Sequence, residues 1–195
     1  LKQNGGRYPG KVLNRIWETS FIQTAAECYD AVWNHIEKDY ELQEHLDMGG
    51  AEIQAFVEVN LLEEAVDAYR DRKIQGNFGM HQMALLYVLL ARQHMDNDRY
   101  INQIIHNVSK EYLHTGISYA LYNYVFRDGV PMESPSYNFL WIRTLAALND
   151  RLKKFGVDFF EDHRFQSVLK SPIHTMGTDQ YTIDVGDSGS TLGGV

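Results

Sequence analysis

Between Met80 and His94 the chain offers no polar face. Met83-Ala84-Leu85-Leu86-Tyr87-Val88-Leu89-Leu90-Ala91 is apolar at every turn of a helix. A helix that is apolar all round cannot lie on a surface; other elements must enclose it. No run in the chain approaches the roughly 20 apolar residues of a membrane span, so the enclosure has to be protein. The other segments must therefore supply a surrounding layer, and they carry the one-sided pattern that such a layer needs.

That pattern is helical throughout, with no strand signal of any length. Val12, Leu13, Ile16, Trp17, Phe21, Ala25, Tyr29, Val32, Trp33 and Ile36 mark a long first helix. A short helix over 41–46 follows, and Met48-Gly49-Gly50 breaks it. Ile53, Phe56, Val57, Leu61, Ala65 and Tyr69 mark the next. Gly76 and Gly79 then set off the helix over 80–94. The spacing predicts further helices over 100–106, 110–126, 135–155 and 162–169, the last stopped by Pro172. Helices joined by short Gly- or Asp-rich turns make antiparallel hairpins. The fold class is thus all-α, and an inner helix buried on both sides favours a curved double layer over a bundle. The helical pattern occupies 1–170. From Ser171 to Val195 the character changes, with Gly177, Gly186, Gly189, Gly193 and Gly194 in a segment without helical period.

Two polar segments stand out against this apolar background. Glu133-Ser134-Pro135-Ser136-Tyr137-Asn138 reads as a helix start. Ser134 is a good N-cap and Pro135 suits the first helical position, where no N–H is needed. Tyr137 then lies at the positive end of the helix dipole, which favours phenolate over phenol. The plainer alternative is a buried tyrosine on a core helix. Gly76-Asn77-Phe78-Gly79-Met80-His81-Gln82 also opens a helix. If that helix already begins at Asn77, Asn77 and His81 share one face, an amide beside an imidazole. The alternative there is an asparagine cap and a hydrogen-bonded core histidine.

Taken in order, Lys73 to Gln82, then Asp128-Gly129 with Glu133 to Asn138, then Trp141, resembles the helical domain of the heparinase II/III-like polysaccharide lyases. Ile183-Asp184-Val185-Gly186-Asp187-Ser188-Gly189 is similar to a Gly-Asp-Ser loop of such proteins. The resemblance runs over about residues 70–190. It implies part of an incomplete (α/α) toroid, a Gly-rich loop over 171–195, and a β-sandwich domain beyond it. It also implies a periplasmic or secreted enzyme. The chain opens at Leu1 without Met or signal peptide, which is expected of a piece cut from a longer precursor.

The implied reaction is β-elimination in a uronic-acid polysaccharide such as a glycosaminoglycan or alginate. The C5 proton beside a carboxylate leaves, and the bond to the O4 leaving group breaks. The carboxylate must be neutralised or strongly hydrogen-bonded, a base must reach C5, and an acid must reach the glycosidic oxygen. Asn77 fits the neutraliser, Tyr137 the acid, the base or both, and His81 a second base or a carboxylate contact. Gln82, Glu133, Asn138 and Trp141 are the expected sugar contacts. Asn138 stands where these enzymes more often carry histidine. For Trp141, core packing is the alternative to stacking on sugar.

No metal or cofactor is expected. Cys28 is the single cysteine, which excludes a thiolate metal cage and an internal disulfide. Asp184 and Asp187 are too few oxygens for calcium. The formal net charge of -8 argues against a general nucleic-acid surface. It also opposes the approach of an acidic polysaccharide, so a local basic patch is needed, and Arg70, Arg72 and Lys73 are candidates. Two other functions fit the same residues. An inverting glycoside hydrolase on an α/α toroid needs two opposed carboxyls; Glu133 is a candidate for one, and Asp128 and Asp187 are only weak candidates for the other. A carbohydrate-binding helical domain needs no chemistry at all.

Overall fold

A computed structural model describes residues 16–92 and 94–176, and among them the chain is all-α. The Gly-Asp-Ser loop and most of the 171–195 segment lie outside the described residues. No described helix is long and apolar enough to cross a membrane. The chain divides into two compact units, Leu1–Ile101 and Asn102–Val195.

In the first unit, α1 (Trp17–Ile36) buries Thr19, Ile22, Ala26, Tyr29 and Ile36, a single stripe at helical spacing. α2 (Tyr40–Leu46) is a short surface helix capped by Asp39, whose carboxylate accepts from Leu42 N–H at 2.9 Å. Gly50 opens α3 (Gly50–Val57) against the end of α1: a Cβ there would sit 2.7 Å from Glu37 Cα. The expected long helix over 53–69 is present, but its middle is wound as a π-helix, Glu58–Glu63, before α4 (Glu64–Arg70) completes it. Tyr29 reaches this junction from α1. Its hydroxyl donates to Glu58 Oε1 at 2.9 Å and lies 3.4 Å from the Gln54 carbonyl. Burial, then Glu58's carboxylate, holds the Tyr29 hydroxyl well above the usual phenol range.

α5 (Met80–Ala91) packs on α1 and α4 and has no exposed residue. The enclosure expected from its composition is what the structure shows. The helix stops at Ala91 rather than running to His94. Arg92 turns extended, and the Asn97 amide donates to the Leu89 and Arg92 carbonyls at 2.9 and 3.0 Å, closing the helix end. The Arg92 guanidinium is itself buried. It donates to Glu63 at 2.6 Å, to Asn97 Oδ1 at 2.8 Å and to Asp96, and it lies over the Tyr100 ring. α6 (Asn97–His106) then carries the chain from the first unit into the second.

The second unit departs from the sequence pattern at its start. The helix expected over 110–126 exists only as a 3₁₀ turn, Tyr112–His114, and α7 (Ile117–Asn123). Thr115 and Gly116 are extended because they pack on the end of α6. Thr115 Oγ1 and Gly116 N–H both donate to the Asn107 carbonyl, at 3.0 and 2.7 Å. A Cβ on Gly116 would lie 2.5 Å from Asn107 N. A tight turn over 124–132 follows, with Val125 and Pro131 bridged antiparallel. Gly129 holds φ +91, and a Cβ there would meet the Ser167 carbonyl oxygen at 2.1 Å.

α8 (Pro135–Leu152) supplies the core of this unit. Trp141, Leu145, Leu148 and Leu152 are fully buried, each contributing on the order of 1.5–3 kcal/mol. Beyond it come two 3₁₀ turns, Lys153–Phe155 and Phe159–Glu161, and α9 (His163–Thr175). Asp162 caps α9, accepting from Arg164 N–H at 2.7 Å and Phe165 N–H at 3.3 Å. Pro172 does not stop α9. The Val168 carbonyl that Pro172 has no N–H to serve accepts instead from Ser171 Oγ at 2.8 Å, so the helix continues to Thr175.

Candidate functional site

The Gly76–Gln82 segment is a fixed loop that leads into α5. Phe78 is fully buried and anchors it. Gly76 has no room for a side chain, since a Cβ would lie 2.8 Å from Met80 Cβ. Gly79 holds φ +94, a conformation that other residues adopt only with strain. The helix begins at Met80, three residues after Asn77, so the shared helical face of Asn77 and His81 does not form. Asn77 is half-buried in the turn, and its carbonyl accepts from Met80 N–H at 3.0 Å.

Tertiary packing decides the next two residues. His81 is fully buried, its ring tilted 37° to that of Tyr69 with centroids 5.9 Å apart. The two line a small cavity with Ile22, Ile74, Leu85 and Val88, large enough for about one water. No sugar reaches that ring in this conformation. Burial pushes the Tyr69 hydroxyl up to about 12, so it stays a neutral phenol beside the imidazole. Gln82 is also fully buried, and its Oε1 accepts from Gly79 N–H at 2.8 Å. It serves one of the N–H groups that every helix start leaves unpaired. The core position weighed for His81 from sequence is what the structure shows, whereas the helix is capped at Gly79 with Gln82 and not at Asn77.

At the start of α8, Pro135 occupies the first turn and Ser134 the N-cap. The backbone geometry of the cap is present, but the expected hydroxyl bond is not. Ser134 Oγ is buried and has no hydrogen-bond partner; neither has Asn138 Oδ1, one turn further on. Asn138 is nine-tenths buried and Trp141 completely so, which places both in the core face of α8. Glu133 and Tyr137 are half-exposed. Of the residues expected to contact substrate, Tyr137, Glu133 and Asn77 therefore retain partial access to solvent, while His81, Gln82, Asn138 and Trp141 are enclosed.

The basic cluster before the Asn77 loop is largely neutralised. Arg70 pairs with Asp67 at 2.6 Å and lies 3.4 Å from Asp71, and Lys73 pairs with Asp71 at 2.9 Å. The bond from Lys73 above all holds the Asp71 carboxyl below its ordinary value, with Arg70 assisting. The buried Arg92 knot was not legible beforehand; the one signal is an arginine at the end of an apolar helix with acids at Glu63 and Asp96. Among the described residues no group of three or more His, Cys, Asp or Glu side chains stands where a metal ion would be held. No protein-family model, curated protein or solved structure matches this chain, so the likeness to the heparinase II/III-like lyases rests on its motifs alone.

Proposed function

We propose that this chain is the helical part of a polysaccharide lyase that opens uronic-acid polymers by β-elimination. The observation that carries the reading is Tyr137: half-exposed in the first turn of an 18-residue helix, with half-exposed Glu133 just before it. Tyr137 keeps partial access to solvent, while the helix behind it is fixed through Trp141 in the core. In this reading the Tyr137 phenolate takes the C5 proton, and the phenol so formed gives it to the departing O4. Glu133 accepts from sugar hydroxyls. His81 and Gln82 hold the Asn77 loop in place rather than touch sugar. The toroid, the following β-sandwich and a periplasmic or secreted location belong to the same proposal.

The test is elimination itself. The chain, alone and in its full-length precursor, is incubated with a panel of uronic-acid polymers, and the ultraviolet absorbance of the unsaturated product is followed. Absorbance that rises and is lost in Tyr137→Phe supports the reading. Reducing ends without absorbance point to hydrolysis and reject it. A second reading, a carbohydrate-binding helical domain without chemistry, is favoured by the enclosure of His81, Gln82 and Trp141. It predicts sugar binding with neither product.

A further inference from the structure

The turn over 124–132 has two faces. Its cross-strand hydrogen bonds run from Phe126 N–H to the Val130 carbonyl at 2.9 Å and from Met132 N–H to the Tyr124 carbonyl at 3.1 Å. Side chains alternate across such a pair. Val125 and Pro131 point inward and are buried; Phe126 and Met132 share the other face and are 62% and 47% exposed. Tyr122, 49% exposed, stands beside them at the end of α7. Three large apolar side chains together on one surface are more than scattered exposure requires.

Arg164 ties this patch together. Its Nη1 donates to the Phe126 carbonyl at 3.3 Å, and its guanidinium lies 5.6 Å from the centre of the Tyr122 ring. His163 meets the same ring edge-on, with centroids 5.9 Å apart. Arg127, next to Phe126, is exposed. Two of the acids nearby are engaged. Asp162 accepts from Arg164 N–H, Phe165 N–H and the Tyr122 hydroxyl, and Asp128 accepts from Val130 N–H at 3.1 Å. The surface thus offers aromatic faces beside a positioned guanidinium, in a chain that is otherwise acidic.

We infer that Tyr122, Phe126, Met132 and Arg164 form a binding patch for an acidic sugar of the substrate chain. The apolar face of a pyranose ring lies on Phe126 or Met132, and its carboxylate meets Arg164, with Arg127 adding charge. Planar carboxylate recognition is the chemistry that a guanidinium serves best. Met132 is followed in the chain by Glu133 and the start of α8 with Tyr137, so in this inference the patch holds a neighbouring residue of the polymer. This inference rests on the reading of the chain as one that acts on acidic polysaccharide.

The experiment is calorimetric titration of the chain with an unsulfated uronic-acid oligosaccharide and with its carboxyl-reduced, neutral counterpart. Arg164→Gln should weaken the acidic ligand by about tenfold or more, as expected for a charged hydrogen bond, and leave the neutral one unchanged. Phe126→Ala should weaken both, by about fivefold. Circular dichroism confirms that each variant is folded, and Arg127→Gln provides a second charge variant if Arg164→Gln is not. Equal binding of the two ligands, wild-type affinity in the folded variants, or no binding to the wild-type chain overturns the inference. So does self-association that Phe126→Ala abolishes without any sugar binding. Product absorbance on the same samples separates the two proposals. Binding without elimination removes the lyase and keeps the patch; elimination with unchanged variant affinity removes the patch and keeps the lyase.

Discussion

Asn149 is the most testable structural residue of the second unit. It is fully buried on α8, and both ends of its carboxamide are used. Oδ1 accepts from Phe159 N–H at 2.5 Å, and Nδ2 donates to Asp158 Oδ1 at 3.1 Å. The loop that turns the chain from α8 towards α9 is pinned by this one side chain. Asn149→Ala leaves the Phe159 N–H buried without a partner, at about 1–3 kcal/mol. The missing carboxamide adds a small void, about 1 kcal/mol more. The expected loss is therefore about 2–4 kcal/mol, a large part of the stability of an ordinary domain. The assay is urea unfolding followed by circular dichroism. The variant should also change the response to pH. Asn149, then the Phe160 N–H and Lys153, hold the Asp158 carboxyl below its usual 3.8. A lowered native value means stability that is present above 3.8 and lost as pH falls through the native pKa. Without Asn149 the largest cause of that shift is gone, so the variant should lose less further stability on acidification than wild type does. A folded Asn149→Ala protein within 0.5 kcal/mol of wild type, with an unchanged acid limb, would refute the reasoning.

Three further outcomes are expected. On the proposed lyase reading, Tyr137→Phe should keep the fold and most sugar binding while elimination slows by about 100-fold or more, read as initial rate by ultraviolet absorbance. Arg92→Leu should cost about 1–3 kcal/mol in denaturant unfolding, below the usual figure for a broken buried pair because Glu63 and Asp96 keep a third of their surface in water. Gly129→Ala should cost about 2–4 kcal/mol by the same measurement, since the backbone must leave φ +91 and the turn must move off Ser167; a Gly129→Ala protein as stable as wild type would show that the turn is free to shift.

Sequence pattern reached the fold where composition alone decides it. Every turn of α5 is apolar, and no arrangement but enclosure suits it. Where tertiary contacts intervene, the pattern drifts. Over 53–69 the expected inward face ran through Phe56 and Leu61, but Phe56 is half-exposed and the buried leucine is Leu62. The wide turns of the π segment rotate the register, and apolar spacing alone does not reveal them. Leu113, Ile117, Ala120 and Tyr124 keep helical spacing, yet Thr115 and Gly116 are drawn out of the helix by the Asn107 carbonyl. Pro172 is tolerated because Ser171 replaces the missing donor. The candidate site divides in the same way. Turn chemistry identified both segments, since Gly79, Ser134 and Pro135 act locally. The burial of His81, Gln82, Asn138 and Trp141 depends on packing partners distant in sequence, which spacing does not reveal.

A two-bond turn such as that over 124–132 would by itself open and close rapidly in water. Here the backbone at Gly129 lies so close to Ser167 that no side chain fits between them. Opening the turn therefore means lifting it off α9. The amides of Phe126 and Met132 should then exchange with solvent deuterium at rates set by α9, far more slowly than the length of the turn implies. A loop tied in this way behaves as part of the scaffold, and the aromatic and cationic groups it carries keep their spacing between one encounter with a ligand and the next.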